Sequence, residues 1–189
     1  MHPIVLDLET QNLFSEVGYD HKKLKVSVVG IYDYSIDKFE TYKEEALKDL
    51  FKKLEHSSLL IGFNIRKFDL PVLSPYYLGD IANFPVLDIL DDVQKVLGFR
   101  VALDDLARAT LGTKKSGHGL KAIEFFRKGQ WNELCQYCLS DVKITKSLYE
   151  YGKKYGSLYF QDTKGKREMR VDWGKRKENK TAIDLTLPI

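Results

Sequence analysis

The stretch Ile4–Thr10, IVLDLET, decides the fold. Its apolar beginning is typical of a central strand, and acidic residues follow where that strand ends. Because side chains alternate across a strand, Asp7 and Glu9 point to one face while Leu6 and Leu8 point to the other. Divalent cations prefer hard oxygen ligands, so this carboxylate pair is a candidate metal site. A strand end that emerges into water explains the pair equally well.

Apolar periodicity predicts the remaining elements on the C-terminal side of this strand. Further strands are predicted at Lys25–Tyr34, Lys38–Tyr42, Leu59–Phe63 and Val86–Leu90. Helices are predicted at Glu44–His56, Phe68–Leu78, Asp91–Leu97, Leu103–Leu111, Gly119–Lys128 and Trp131–Tyr155. Three consecutive strands followed by alternating helices and strands indicate an α/β fold. We expect a mixed central sheet, with a three-stranded antiparallel meander plus parallel strands, flanked by helices on both faces.

The chain divides by charge near its C-terminal end. Residues 1–155 are predicted to form one domain, and residues 156–189 a basic hairpin and tail packed on that domain. The alternating apolar residues of Ser157–Trp173 predict the hairpin. Residues 151–189 contain ten Lys and Arg against five Asp and Glu. This basic end is a candidate nucleic-acid contact, and a merely solvated terminus explains the charge equally well.

Several protein classes are disfavoured by the sequence. No stretch approaches the ~20 consecutive apolar residues of a membrane span, and Met1–Ile4 does not resemble a secretion signal. We therefore expect a cytoplasmic protein that does not bind a membrane. Cys135 and Cys138 form a C-x-x-C pair, but a structural zinc site needs four ligands and the sequence has no second Cys or His pair. We predict two unpaired thiols on a helix.

A second acidic segment follows another apolar strand. Asn64–Asp69, NIRKFD, comes directly after Leu59–Phe63, so Asp69 reaches the same edge of the predicted sheet as the first acidic pair. Asn64 is expected to fix the turn or a neighbouring side chain. An alternative for Asp69 is a helix cap, because Leu70 and Pro71 form an ordinary helix start.

A third acid lies on the predicted helix Trp131–Tyr155. One stripe of this helix recurs at intervals of four and three residues and comprises Leu134, Cys138, Asp141, Thr145 and Leu148. Burying an ionised carboxylate costs several kcal/mol unless it is paired or bound to metal, so Asp141 needs a partner. Tyr137 lies one turn earlier on nearly the same face. A structural ion pair with Arg108 is the alternative to a metal ion.

Together, the patterns D-x-E, N-x-x-x-F-D and Y-x-x-x-D resemble the three motifs of the DEDD exonuclease superfamily, a branch of the ribonuclease H-like fold. The resemblance spans Ile4 to about Tyr149. The tyrosine form of the family, DEDDy, has Tyr four residues before the final Asp, as here, whereas the histidine form has His five residues before it, where this chain has Gln136. The chain is similar to family B DNA polymerase proofreading domains and to stand-alone bacterial relatives.

This resemblance implies a metal-dependent 3′→5′ exonuclease that hydrolyses phosphodiester bonds and releases nucleoside 5′-monophosphates. Asp7, Glu9 and Asp141 would hold one of two divalent cations, Mg²⁺ or Mn²⁺, while Asp7 and Asp69 would serve the second. Tyr137 would orient the attacking water and complete the catalytic set. The expected partners are 3′ ends of single-stranded DNA or RNA, with DNA slightly preferred. The sequence does not identify protein partners.

The resemblance also suggests four substrate-binding residues. Thr10 and Phe14 follow the first motif in a region that contacts the terminal nucleotide in relatives, and Phe14 is a candidate stacking or wedge residue. Core packing explains Phe14 equally well. Asn64 would steady the terminal nucleotide. His118 lies in a basic loop before a helix amino end, a setting suited to a phosphate, and a plain connecting turn is the alternative.

Two other functions compete with the exonuclease. A non-catalytic nucleic-acid-binding module of the same fold would be unaffected in function by Asp7→Ala, whereas an enzyme would lose cleavage. A phosphatase of the D-x-D-x-T type is suggested by Asp7–Thr10, although that family has Asp where this chain has Glu9. Release of phosphate from small monoesters would favour the phosphatase.

Overall fold

The structure is a computed structural model that describes residues 1–113, 120–163 and 165–174. The strands in these ranges are β1 (His2–Thr10), β2 (Val26–Asp33), β3 (Lys38–Lys43), β4 (Ser57–Gly62), β5 (Val86–Asp88), β6 (Ser157–Asp162) and β7 (Gly165–Arg170). The α-helices are α1 (Leu47–Glu55), α2 (Asp69–Leu73), α3 (Ile89–Leu97), α4 (Leu103–Leu111), α5 (Leu120–Arg127) and α6 (Trp131–Tyr155).

The main sheet has the strand order β3-β2-β1-β4-β5. Strands β1, β2 and β3 form an antiparallel meander, and β4 and β5 run parallel to β1. This mixed sheet confirms the predicted α/β architecture. The carboxyl ends of β1, β4 and β5 meet at one edge, where the segments that follow them come together.

Strand β1 divides the core between the two faces of the sheet. Ile4, Leu6 and Leu8 are buried in the cluster that contains the apolar residues of α1 and α2. Val5 points the other way, into a cluster with residues of α3, α4 and α6 such as Val142. Helices thus cover both faces, and the alternation places every second residue of β1 against α6.

Two element boundaries differ from the predictions, at the end of β1 and in the helix predicted after β4. β1 is paired with β2 as far as Thr10, so Asp7 and Glu9 lie within the strand and not beyond its end. The helix predicted at Phe68–Leu78 ends early because Pro75 cannot continue the α-helical hydrogen bonds, and a 3₁₀ turn follows at Ser74–Tyr76.

The predicted strand Val86–Leu90 is also too long. It ends at Asp88, whose carboxylate accepts the N–H groups of Leu90 and Asp91 and so begins α3 at Ile89. Glu44–Ala46, predicted as the first turn of a helix, is a 3₁₀ turn that precedes α1. These differences leave the order of the elements unchanged.

The predicted C-terminal hairpin is present as β6 and β7, which pair antiparallel in a separate sheet. Trp173 follows the hairpin and packs on α6 at Gly152, where an added Cβ would lie 2.4 Å from the indole ring. The indole Nε1–H also donates to the Asp92 carboxylate on α3 at 3.0 Å. Residues 175–189 lie outside the described residues, so the division into residues 1–155 and 156–189 stays a prediction. None of the helices in the described part is long and apolar enough to cross a membrane.

Candidate active site

A cavity of about 260 Å³ opens at the carboxyl edge of the sheet. Its lining residues come from β1, the β4–α2 segment, the start of α4, and α6. They are Asp7, Leu8, Glu9, Phe63, Asn64, Phe68, Asp69, Ala102, Leu103, Asp104, Tyr137 and Asp141. The cavity therefore brings together all three acidic segments, of which the first and the last are more than 130 residues apart in the sequence.

Gly30 on β2 brings α6 close to β1. It pairs with Asp7 across the β1–β2 ladder. A Cβ added at Gly30 would lie 2.9 Å from the Cys138 Sγ and 3.1 Å from Val142 Cγ2, both on α6. Because no side chain separates them, the helix rests directly on the strand beside Asp7. The Cys138 Sγ consequently lies 3.5 Å from the Asp7 carbonyl oxygen, as a donor to it.

Three carboxylates converge on one point of this cavity. Asp7, Glu9 and Asp141 each offer an oxygen within 4.8 Å of the other two, an arrangement that can hold a metal ion. All three are half-buried. Within residues 1–113, 120–163 and 165–174, none of them forms an ion pair with Lys, Arg or His. Arg108, the alternative partner for Asp141, instead pairs with Asp105 on the surface.

Burial and the neighbouring negative charges raise the pKa values of these acids. Burial raises the pKa of Asp7 well above its ordinary value, and the charges of Asp69, Glu9 and Asp141 raise it further. Burial followed by Asp141 and Asp69 does the same for the pKa of Glu9. Burial, with the Asp104 charge, raises the pKa of Asp141 to about 6. The described surroundings therefore disfavour full ionisation of the cluster, and a bound cation would favour it.

Asp69, at the start of α2, also lines the cavity and is hydrogen-bonded to β1. It is buried, and its Oδ1 accepts the backbone N–H of Leu8 at 3.1 Å. Burial raises its pKa to about 8, against the lowering effect of the backbone N–H groups of Asp69 and Leu8. Asp69 is the first residue of α2, whose N-cap, Phe68, makes no side-chain cap bond. The cap interpretation is wrong, because the carboxylate connects α2 to β1.

Asn64 lines the cavity from a turn in the left-handed region, with φ of 66°. Its N–H donates to Asp88 Oδ1 at 2.9 Å, and the N–H of Arg66 donates to Oδ2 of the same carboxylate at 3.0 Å. Its side-chain Oδ1 accepts a hydrogen bond from the Arg100 guanidinium at 2.8 Å. The turn is thus held by the buried Asp88, while the Asn64 side chain contacts Arg100.

Tyr137 lies one turn before Asp141 and packs against Phe125. Burial and the negative charges of Asp141, Glu9 and Asp7 raise its pKa, so the phenol stays protonated and can donate a hydrogen bond into the cavity. The Cys138 thiol is fully buried, and burial with the Asp7 charge raises its pKa well above the usual range. Cys135 and Cys138 are both free, as predicted.

Among the described residues, Thr10 and Phe14 were also predicted to bind substrate, and neither lines the cavity. The Thr10 hydroxyl donates to the Asn12 carbonyl at 2.9 Å. Phe14 packs against Tyr19 and His21, with ring centroids 5.3 and 4.5 Å away. His118 lies outside the described residues. The roles assigned to these three stay predictions.

Two residues of the site were missed by sequence reasoning. Asp104, in the first turn of α4, is a fifth acid in the cavity wall and looked like an ordinary acidic helix start. Asp88 stabilises the Asn64 turn by accepting the backbone N–H groups of Asn64 and Arg66. Its signal was visible in the sequence, since an acid interrupts the apolar run Val86–Leu90.

With the geometry in place, comparison with known proteins identifies the family. The family model described as the RNase H superfamily matches residues 4–152. The chain belongs to the RNase H superfamily. The match covers the five-stranded sheet and α6, and with them all elements that supply acids to the cavity. The predicted superfamily membership is confirmed. No curated protein matches the chain in sequence.

Solved structures with the RNase H-like fold support the same architecture. The family B DNA polymerase of Pyrobaculum calidifontis matches with a TM-score of 0.63 and 16% identity, over 79% of this chain and 24% of that chain. Trypanosoma brucei RNase D matches with a TM-score of 0.59 and 18% identity, over 79% of this chain and 57% of that chain. The chain thus spans less than two thirds of either protein, and these likenesses concern the fold.

Proposed function

We propose that the chain is a metal-dependent 3′→5′ exonuclease of the DEDDy type. It hydrolyses phosphodiester bonds of single-stranded nucleic acid, with DNA slightly preferred over RNA, and releases nucleoside 5′-monophosphates. One observation carries the proposal: four carboxylates from β1, α2 and α6 line one cavity, and none of its described lining residues is Lys or Arg. Membership of the RNase H superfamily and the three sequence motifs support it.

The donor set fits hard divalent cations. Asp7, Glu9 and Asp141 supply three carboxylate groups around one point, and Asp7 with Asp69 supplies a second group. Carboxylates without nitrogen or sulfur ligands suit Mg²⁺ or Mn²⁺. When bound, two such cations supply positive charge to the attacking and leaving oxygens of the phosphate.

The remaining residues position the reactants. Tyr137, kept protonated by its surroundings, donates a hydrogen bond that orients the attacking water on the phosphorus. Asn64 presents its amide to the terminal nucleotide from a turn fixed by Asp88. The cavity of about 260 Å³ is open to solvent, so the terminal nucleotide of a strand can enter it. Each residue thus acts by placing a group where the transition state needs it.

The proposal is tested with the full chain and single-stranded DNA and RNA oligonucleotides labelled at the 5′ end. With Mg²⁺ or Mn²⁺ we expect a ladder that shortens from the 3′ end, released nucleoside 5′-monophosphates, and no products with chelator. A 3′-phosphorylated oligonucleotide serves as a blocked control. Binding without shortening would identify the non-catalytic module, and release of phosphate from small monoesters with intact oligonucleotides would identify the phosphatase.

A further inference from the structure

The cavity wall formed by the described residues carries no positively charged side chain. Five acids line it, and none of the lining residues in the described part of the chain is Lys or Arg. A bound strand carries phosphates beyond the one that reacts, and divalent cations at the acidic cluster act on the reacting phosphate. The next phosphate therefore approaches an acidic rim and needs a separate cation from the protein.

Arg100 supplies a cation at this rim. It lies in the loop between α3 and α4, and it hydrogen-bonds the cavity residue Asn64 at 2.8 Å. In residues 1–113, 120–163 and 165–174 it forms no ion pair, whereas Arg108, Arg127 and Arg167 each pair with an acid. The side chain is exposed, and a guanidinium has five N–H donors, of which this bond uses one. Its charge and most of its donors face solvent beside the cavity.

Phe99, the preceding residue, adds an exposed aromatic ring. Its exposed fraction is 44%, high for a phenylalanine. It packs edge-on against Phe160 of β6, with ring centroids 5.4 Å apart and an interplanar angle of 67°. A base stacks on an aromatic face while a neighbouring cation binds the phosphate, and proteins hold single strands by combining these two contacts.

We propose that Phe99 and Arg100 bind the nucleotide immediately upstream of the scissile bond, with Phe99 against its base and Arg100 on its phosphate. This inference rests on the proposed function and names the element that selects a strand over a mononucleotide.

The test compares Arg100→Gln, Arg100→Lys and Phe99→Ala on two substrates. One is a single-stranded oligonucleotide, and the other is the p-nitrophenyl ester of thymidine 5′-monophosphate, which has only the reacting phosphate. We expect Arg100→Gln and Phe99→Ala each to raise KM for the oligonucleotide about tenfold with little change in kcat, and to leave the ester unaffected. Arg100→Gln should also reduce the salt slope of oligonucleotide binding by about 0.7, and Arg100→Lys should retain it.

Matched controls are Arg108→Gln, an exposed arginine on α4, and Phe39→Ala, a phenylalanine of similar exposure on β3 at 41%. Both should leave KM unchanged. An equal loss on both substrates would show that Arg100 acts through Asn64 and would overturn the inference, as would unchanged KM values. Fluorescence anisotropy of a labelled oligonucleotide with Ca²⁺ provides a readout without turnover. If the wild type cleaves neither substrate, the proposed function fails. Weaker binding of the labelled oligonucleotide by Arg100→Gln and Phe99→Ala would still support the inference.

Discussion

Two buried aspartates near the same edge of the sheet differ in how their charge is accommodated. Asp88 has an exposed fraction of 2% and accepts four backbone N–H groups, from Asn64, Arg66, Leu90 and Asp91. Asp69 has an exposed fraction of 4%, accepts the N–H of Leu8, and lies among other acids. Fixed N–H dipoles satisfy the first carboxylate, so it needs no further partner.

We infer that the difference separates an acid that stabilises the fold from a proposed metal ligand. Asp88 completes the fold, because its hydrogen bonds join the Asn64 turn to the start of α3. Asp69 has a raised pKa, because its environment penalises the ionised form. An external cation would remove that penalty. The contrast can be tested by changing each acid in turn and measuring both activity and stability.

The largest effect is expected for Asp69→Asn. The variant should lose about 10²–10³-fold in kcat with Mg²⁺, because one ligand is removed while the amide oxygen can still accept the Leu8 N–H. Its thermal midpoint in chelator should equal or exceed that of the wild type, since a buried charge has been removed. Steady-state kinetics and thermal unfolding measure the two quantities. The matched control Asp105→Asn, on the exposed side of α4, should change neither.

Asp88→Asn should show the opposite pattern. The asparagine presents an NH₂ group where the carboxylate accepts N–H groups, so we expect a loss of about 3 kcal/mol in the free energy of unfolding. Chemical denaturation with and without Mg²⁺ measures it. An Asp88→Asn variant of wild-type stability would contradict the distinction between the two acids.

The acids of the cavity also predict how stability depends on pH. Between pH values of about 4 and 8 the folded chain holds a proton on Asp69 that the unfolded chain releases, so stability falls as the pH rises through this window. Asp141 contributes in the same direction, up to its pKa of about 6. In chelator, the thermal midpoint should decrease by at least about 4 °C between pH 5 and 8.

Mg²⁺ or Mn²⁺ should flatten this dependence, because a bound cation favours the ionised carboxylates. Asp69→Asn should have a shallower pH dependence than the wild type in chelator. A wild-type midpoint that rises with pH in chelator would show that the acids are satisfied within the protein.

The smallest effect is expected for Asp104→Asn. Burial is the largest cause of the raised pKa of Asp141, and the negative charge of Asp104 raises this pKa further. Removing its charge should shift the acid limb of the pH–rate profile to lower pH by less than about one pH unit. The change in kcat should be modest. The profile of kcat/KM between pH 5 and 8 measures the shift. A shift to higher pH would contradict the role given to Asp104.

The sequence predicts the sheet because its strands alternate clearly or form short apolar runs. It also places Asp7, Glu9, Asp69, Tyr137 and Asp141 in elements that the fold brings to one cavity. Asp141 was the most informative of these, because a carboxylate in the buried stripe of a helix requires a partner whatever the tertiary fold is.

Other features depend on contacts between distant segments and leave no local pattern. Asp104 resembles any acid in the first turn of a helix until α4 is placed beside the cavity. The contact between Arg100 and Asn64 joins residues 36 positions apart. The packing of Phe14 on Tyr19 and His21 was as compatible with the sequence as a position at the substrate.

Gly30 brings no functional group to the cavity, yet its lack of a side chain lets α6 pack closely beside Asp7. We expect a larger residue at this position to push α6, and with it Asp141 and Tyr137, away from β1. We therefore expect that a related sequence with a larger residue at position 30 would lose the proposed activity while keeping every proposed metal ligand. Residue 30 is thus a marker for recognising degenerate copies of this protein whose motifs are intact.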